Sequence, residues 1–349
     1  MTQETTQVKS KRNYCLGFFQ GLACILIIFI HAEFPGKFGL AVDTLARFGV
    51  LLFFMISGYF LIGENSSSED VRLKLKKRIK RILIIYVITE AIYVLSAFIE
   101  ASIQGVATEW FLETFRWQNI LYYIFCNRPF GCVISWFLLA MINSYILLYI
   151  FARHFINNKI LPFIIASLSL VVIAFRTSTL AFNININGYS LYNIDLYHSW
   201  YACGLIFMSL GIIVRRYINK LSFIPTWILI VVMLFSLGAS IGEGFLYDYL
   251  FENGLTYYVF NIVAATSMLI ISIKHPLRFS KFIFAKFPDD WTMLVYILHY
   301  GLIFAVVFVL QGHMPKDAFD WTYPPIVMAL SILAAVLIAF LLKFIKKKK

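Results

Sequence analysis

Stretches of about 17 to 22 apolar residues recur along nearly the whole chain, and this pattern leaves few folds open. They lie near 14–33, 46–62, 82–99, 132–151, 160–175, 197–214, 224–242, 257–273, 292–311 and 326–345. Each is about long enough, as a helix, to cross a ~30 Å hydrocarbon core. Of the 349 residues 61% are hydrophobic and only 14% charged, well outside the range of soluble domains. The pattern predicts an all-α polytopic integral membrane protein with about ten transmembrane helices. The second and fifth stretches are short, which leaves room there for a tilted or partly re-entrant segment.

The net charge of +12 would suit a nucleic-acid binder, but its distribution argues for membrane topology and against nucleic acid. With the N-terminus placed inside, 24 of the 30 basic residues fall in inner segments, including Lys9, Lys11, Arg12, the run from Arg72 to Arg81 and the tail from Lys343 to Lys349. Lys37, Arg47, Arg116, Arg128, Arg176 and Lys316 are left outside. An even number of spans with both termini in the cytoplasm follows, in a cell membrane and in contact with its lipids. The first stretch follows a basic region but lacks a small-x-small cleavage signal, so it reads as a retained helix. The tails and loops are too short to bury a core of their own, so residues 1–349 read as one membrane domain. Cys15, Cys24 and Cys203 fall in spans as small apolar groups, whereas Cys126 and Cys132 bracket the turn CNRPFGC, where a disulfide is feasible outside the cell.

Ionisable groups within or beside apolar helices are the candidates for chemistry. His31 ends the first span in GLACILIIFIHAEFPG, with Glu33 just beyond, and Arg12 marks the other boundary nineteen residues before. At 1.5 Å per residue His31 lies about 28 Å away, near the outer edge of the hydrocarbon. Gln20, eleven positions earlier, lies on the same helical stripe with Cys24 and Ile27. Ser57-Gly58 in FFMISGYFL suits a close helix crossing, and Met55 stands where an intramembrane serine protease would want the first glycine of GxSG. The inner loop opens with ENSSSED and continues as RLKLKKRIKRILIIYV, which suits a lipid anchor or an anion site. Outside, RTSTLAFNININGYSLYNIDLYH alternates amides with apolar residues and supplies Tyr189, Tyr192 and Tyr197, a composition that suits a sugar or an interfacial aromatic belt. His198 begins the sixth span beside Asp195, near the outer face. His299 lies eight residues into the ninth span and is expected in the inner half, remote from His31, as a packing or donor-channel residue.

The succession FFQGLACILIIFIH, FFMISGYFL and RIKR (Arg78 to Arg81), followed by an apolar span, resembles the type-3 acyltransferase family, polytopic membrane O-acyltransferases of surface glycans. Trp136 in SWFLLAMINSY, the stretch LIFMSLGIIVRR and VYILHY around His299 resemble later landmarks of that family. The resemblance implies His31 as the catalytic histidine and an Arg78-x-x-Arg81 motif. It also implies a short acyl group, acetyl foremost, carried from cytosolic acyl-CoA to a hydroxyl of a cell-envelope or lipid-linked glycan, with no metal. Gln20 departs from the family's basic residue, and Gly17 stands where an aspartate is common. The residues themselves fit that chemistry. Arg78 and Arg81, with Lys77 beside them, suit coenzyme A phosphates; His31 suits a general base, with Glu33 to orient or charge it. A glycan or lipid transporter and a non-catalytic derivative of the same fold are the competing readings.

Overall fold

The computed structural model describes residues 12–63, 66–186, 189–287 and 289–347. Lys9, Lys11, Glu64, Asn65, Asn187 and the last two lysines, named above, lie outside the described residues, as does the side chain of Tyr189. The chain is all-α and polytopic. Its first helices are α1 (Tyr14–His31), α2 (Gly36–Ala46), α3 (Phe48–Tyr59), α4 (Ser68–Ile103), α5 (Ala107–Thr114) and α6 (Trp117–Cys126). After a 3₁₀ turn at Val133–Ser135 come α7 (Trp136–Ile150), α8 (Ala152–Asn157) and α9 (Leu161–Ala181). A two-stranded hairpin, β1 (Asn185–Ile186) with β2 (Tyr189–Ser190), leads to α10 (Ile194–Tyr197). A π turn at Trp200–Gly204 then opens α11 (Leu205–Leu221), followed by α12 (Thr226–Phe251), α13 (Val259–Lys274), a 3₁₀ turn at Phe284–Lys286, α14 (Asp289–Leu310) and α15 (Lys316–Lys347).

Among the described residues nine helical segments are long and apolar enough to cross a membrane, and the shorter apolar α13 fills the place of the eighth predicted span. The predicted second span falls on α3, and α2 precedes it in series across a break at Arg47, the two together covering Gly36–Tyr59. Apolar side chains on α4, such as Ile84, Val87, Ile88 and Ile92, stay exposed, as a lipid-facing surface requires.

At the centre stands α3. Phe48, Leu51, Leu52, Phe54 and Met55 are all but inaccessible, so the helix is apolar all round and enclosed on all sides. Its crossing with α11 is backbone to backbone: a Cβ on Gly58 would overlap the Met208 carbonyl, and one on Gly211 the Met55 carbonyl. The close approach expected of Ser57-Gly58 is therefore built from two glycines facing each other's helix.

The segment 275–287 determines how α14 sits against α1. It begins by accepting, at the Pro276 carbonyl, the N–H groups of Tyr14 (2.7 Å) and Cys15 (3.3 Å), two of the unpaired donors of a helix start. It then packs along α1, where a Cβ on Gly17 would come within 2.7 Å of the Ala285 carbonyl and one on Gly21 within 2.9 Å of the Phe284 Cβ. In consequence α14 starts beside the middle of α1 and not at its first turn. The Cys24 thiol donates to the Thr292 carbonyl at 3.5 Å, which sets those two residues level.

Candidate active site

His31 and His299 each follow that level pair by seven residues along parallel helices, so both rise by about 10 Å and turn through the same angle. Their rings meet at a centroid distance of 5.5 Å. This overturns the expectation that His299 lies in the other half of the bundle. The expectation counted residues from the end of a loop assumed to sit at the boundary, whereas 275–287 packs against Gly17 and Gly21 of α1. His299 has no solvent exposure. Tyr300 lies edge-on to His31 at 6.0 Å.

His31 faces a cavity of about 320 Å³ whose walls come from six parts of the chain. Cys24, Ile27 and His31 line it from one stripe of α1, as the helical period predicts, while Gln20 lies below it. Val50, Leu51 and Phe53 of α3, Phe137 of α7, and Met293 and Tyr296 of α14 make it largely apolar. Its polar groups are few: His31, His198, Thr256, Thr292 and Arg47.

Arg47 is the residue that sequence reasoning misplaced, having been counted as an outer-loop charge. It sits at the break between α2 and α3, 15% exposed, and forks onto Asp43 of α2 through Nε–Oδ2 (2.9 Å) and Nη2–Oδ1 (3.0 Å). Its Nη1 reaches the Thr256 carbonyl at 3.4 Å. The i, i+4 spacing of Asp43 and Arg47 inside an apolar stretch was the available signal. Arg176, also counted as a loop charge, is buried in α9. It donates to the Gly254 carbonyl (2.6 Å) and covers the Tyr197 ring at 4.8 Å.

His198 reaches the same cavity from the turn before the π segment and stacks flat on Trp136, with centroids 4.1 Å apart and 6° between planes. Burial, reinforced by Arg47, Arg176 and His31, holds its imidazole well below the usual histidine range, so the ring is neutral at pH 7. Glu33 is exposed and does not line the cavity. Partial burial and the neighbouring Asp43 raise its pKa, and Arg47 opposes them.

At the far end of α3 the RIKR motif takes shape. Arg78 donates from Nη1 to the Ser57 carbonyl (2.8 Å) and from Nη2 to the Phe60 carbonyl (3.1 Å), satisfying acceptors at the helix C-terminus. Arg215 of α11 joins it on the Ile62 carbonyl (3.2 Å) and the Tyr59 hydroxyl (3.3 Å). Lys77 and Arg81 are exposed on the same stretch of α4.

Two expectations about the opposite end change. Among the described amides Asn185 is used within the hairpin, bonding Asn183 and Ser190, and Tyr197 is buried with its hydroxyl on the Leu191 carbonyl, so it offers no stacking face. Cys126 and Cys132 are buried thiols and are not joined by the feasible disulfide.

A multi-pass helical bundle that buries a histidine pair and an arginine in an apolar cavity is thus the class of protein the geometry defines. The chain belongs to the type-3 acyltransferase family, whose acyltransferase domain matches residues 13–343. No curated protein and no solved structure matches it.

Proposed function

We propose that the chain is a membrane O-acyltransferase that moves a short acyl group, acetyl foremost, from cytosolic acyl-CoA to a hydroxyl of a cell-envelope glycan. The observation that carries this reading is the His31 ring, which lines an apolar cavity that also presents Arg47 and is backed by the buried His299 ring. In the proposed step His31 takes the proton of the acceptor hydroxyl as its oxygen attacks the thioester carbonyl. Arg47, held in place by Asp43, offers positive charge where the tetrahedral oxyanion develops, in a site of low dielectric. The C–S bond then breaks, and the coenzyme A thiolate leaves with the proton returned from His31. The products are an acyl ester and coenzyme A, and the enzyme is unchanged.

In this reading the donor enters from the Arg78 end. Lys77, Arg78 and Arg81 lie where diphosphate and ribose phosphate groups would dock, and Ser57, to which Arg78 is bonded, is ten residues from Arg47 along α2–α3. That is about 15 Å of helix, within reach of an extended pantetheine arm. Glu33 is assigned a lesser part, as a charge beside the Asp43–Arg47 pair. Gln20 sits below the cavity and outside this step, so the missing basic residue does not by itself disable the proposed chemistry.

Mass spectrometry of envelope glycans from cells with and without the chain tests the reading, the expected result being loss of one acyl mass increment per acceptor unit. Unchanged glycan masses, together with a purified chain that neither binds nor consumes acetyl-CoA, would refute it. Glycan export lost with its acylation unchanged would mark a transporter.

A further inference from the structure

Behind the Trp136–His198 stack lies a second cavity of about 260 Å³, of different chemistry from the first. It is walled by the turn 126–133 with Trp136, Asp195 and His198, and Val133, Trp136 and His198 line both cavities. The two cavities therefore adjoin along these three side chains, the largely apolar one holding His31 and the other a more polar chamber.

The chamber is held in shape from outside. Glu90 of α4 accepts the N–H groups of Phe130 and Gly131, both at 2.6 Å, which clamps the turn. Gly131 fits only without a side chain, since a Cβ there would come within 2.7 Å of the Val94 nitrogen. Asn127 holds a left-handed conformation (φ 57°) at the chamber wall, fully buried, with neither its amide nitrogen nor its oxygen partnered among the described residues. At the chamber wall Arg128 Nε and Asp195 Oδ2 lie 3.7 Å apart. That is an ion pair but too long for a hydrogen bond, so both groups keep bonding capacity for a polar group placed beside them.

We propose that this chamber is the acceptor subsite, shaped for a single uncharged polyhydroxylated unit, with Arg128 and Asp195 as the groups that select it. The inference rests on the acyl-transfer reading, which requires a hydroxyl delivered to His31. A hydroxyl beside the pair can donate to Asp195 and accept from Arg128 at once, using the spare capacity of both while the ion pair stays in place. An anionic unit would meet the Asp195 carboxylate, and a cationic one Arg128. The volume falls below the ~300–1,000 Å³ of pockets for drug-sized ligands, so one unit is admitted while the rest of any chain stays outside.

Saturation-transfer NMR on the purified chain in detergent tests this, with methyl glucoside, methyl galactoside and methyl N-acetylglucosaminide as uncharged probes and methyl glucuronide as the anionic counterpart. We expect saturation of at least one uncharged glycoside. It should persist in His31→Ala and fall by about fivefold or more in the double variant Arg128→Gln/Asp195→Asn, the scale of losing one or two net hydrogen bonds. An equal signal in that double variant, a stronger signal from the glucuronide, or no signal from any uncharged probe overturns the proposal. Apparent melting temperature controls for folding; should the double variant melt early, Val133→Trp, which fills the shared wall from a half-exposed position, replaces it and must also abolish the signal. Acetyl-CoA binding measured on the same samples separates the two failures: its loss sinks the acyl-transfer reading, while an absent glycoside signal with donor binding intact sinks the acceptor subsite alone.

Discussion

His31 and His299 meet ring to ring but differ in what surrounds them, and this separates their expected roles. His31 faces the open volume, whereas His299 is fully buried and does not line it. Replacing His31 by Gln should lower acyl transfer by about 10²- to 10⁴-fold with acetyl-CoA affinity unchanged, the range for losing a positioned base. His299→Asn, which keeps polarity but cannot carry a charge, should lower turnover by about tenfold or less if the ring only positions His31. Single-turnover kinetics on both variants would check this, and an active His31→Gln enzyme would remove His31 from the mechanism. His198 gives a pH signature of its own. Its pKa is depressed in the folded chain, so the stability allowed by a neutral ring is complete above the ordinary value of about 6.5 and declines as pH falls below it. Apparent melting temperature should therefore fall more steeply between pH 7.5 and 5 in wild type than in His198→Gln. The place of His31 on its stripe was legible in the sequence, because within one helix the 100° turn and 1.5 Å rise fix relative positions. The place of His299 was not, because it depends on how a loop packs against another helix, and Arg47 was hidden because a helix break inside an apolar stretch leaves no mark in hydropathy.

Among the elements, α3 joins the two ends of the proposed reaction: Arg47 precedes its first turn and Arg78 holds its last carbonyls. The basic run on α4 therefore divides into residues with different duties. Arg78→Ala should lower both acetyl-CoA affinity and apparent melting temperature, the latter by the equivalent of about 1–3 kcal/mol, since two carbonyls lose a charged donor. Lys77→Ala, at an exposed position, should weaken acetyl-CoA binding without moving the melting curve. Titration calorimetry alongside thermal melts checks the division, and an equal melting change in the two variants would erase it. The arginine pair was visible in the sequence as a motif, but that one member also caps a neighbouring helix was not, because the contact spans twenty-one positions. The departures at Gly17 and Gln20 are of different kinds. Gly17 has a geometric cause, since Ala285 leaves no room for an aspartate side chain. Nothing in the structure explains the glutamine at position 20.

At the scale of the molecule, the succession of spans was legible in hydropathy, because each helix must satisfy the same membrane thickness independently of its neighbours; nine of the described segments are long and apolar enough, and α13 falls short of that length. The basic residues predict an orientation with the His31 end outside the cell. Asn253→Cys should react with an impermeant maleimide on intact cells, whereas Ser67→Cys should react only after permeabilisation; the reverse pattern would put the histidines and the acyl donor on one side and overturn the scheme. A last consequence belongs to the segment 275–287, whose length sets the height of α14 against α1. It acts as a spacer gauge for the proposed catalytic centre. Lengthening it by one residue within 277–283 would release α14 to shift and turn against α1, carrying His299 away from the His31 ring, while His31 and the donor end stay as they are. Such a variant should bind acetyl-CoA like wild type and transfer no better than His299→Asn, so a stretch of chain that touches neither substrate would govern the reaction through its length alone.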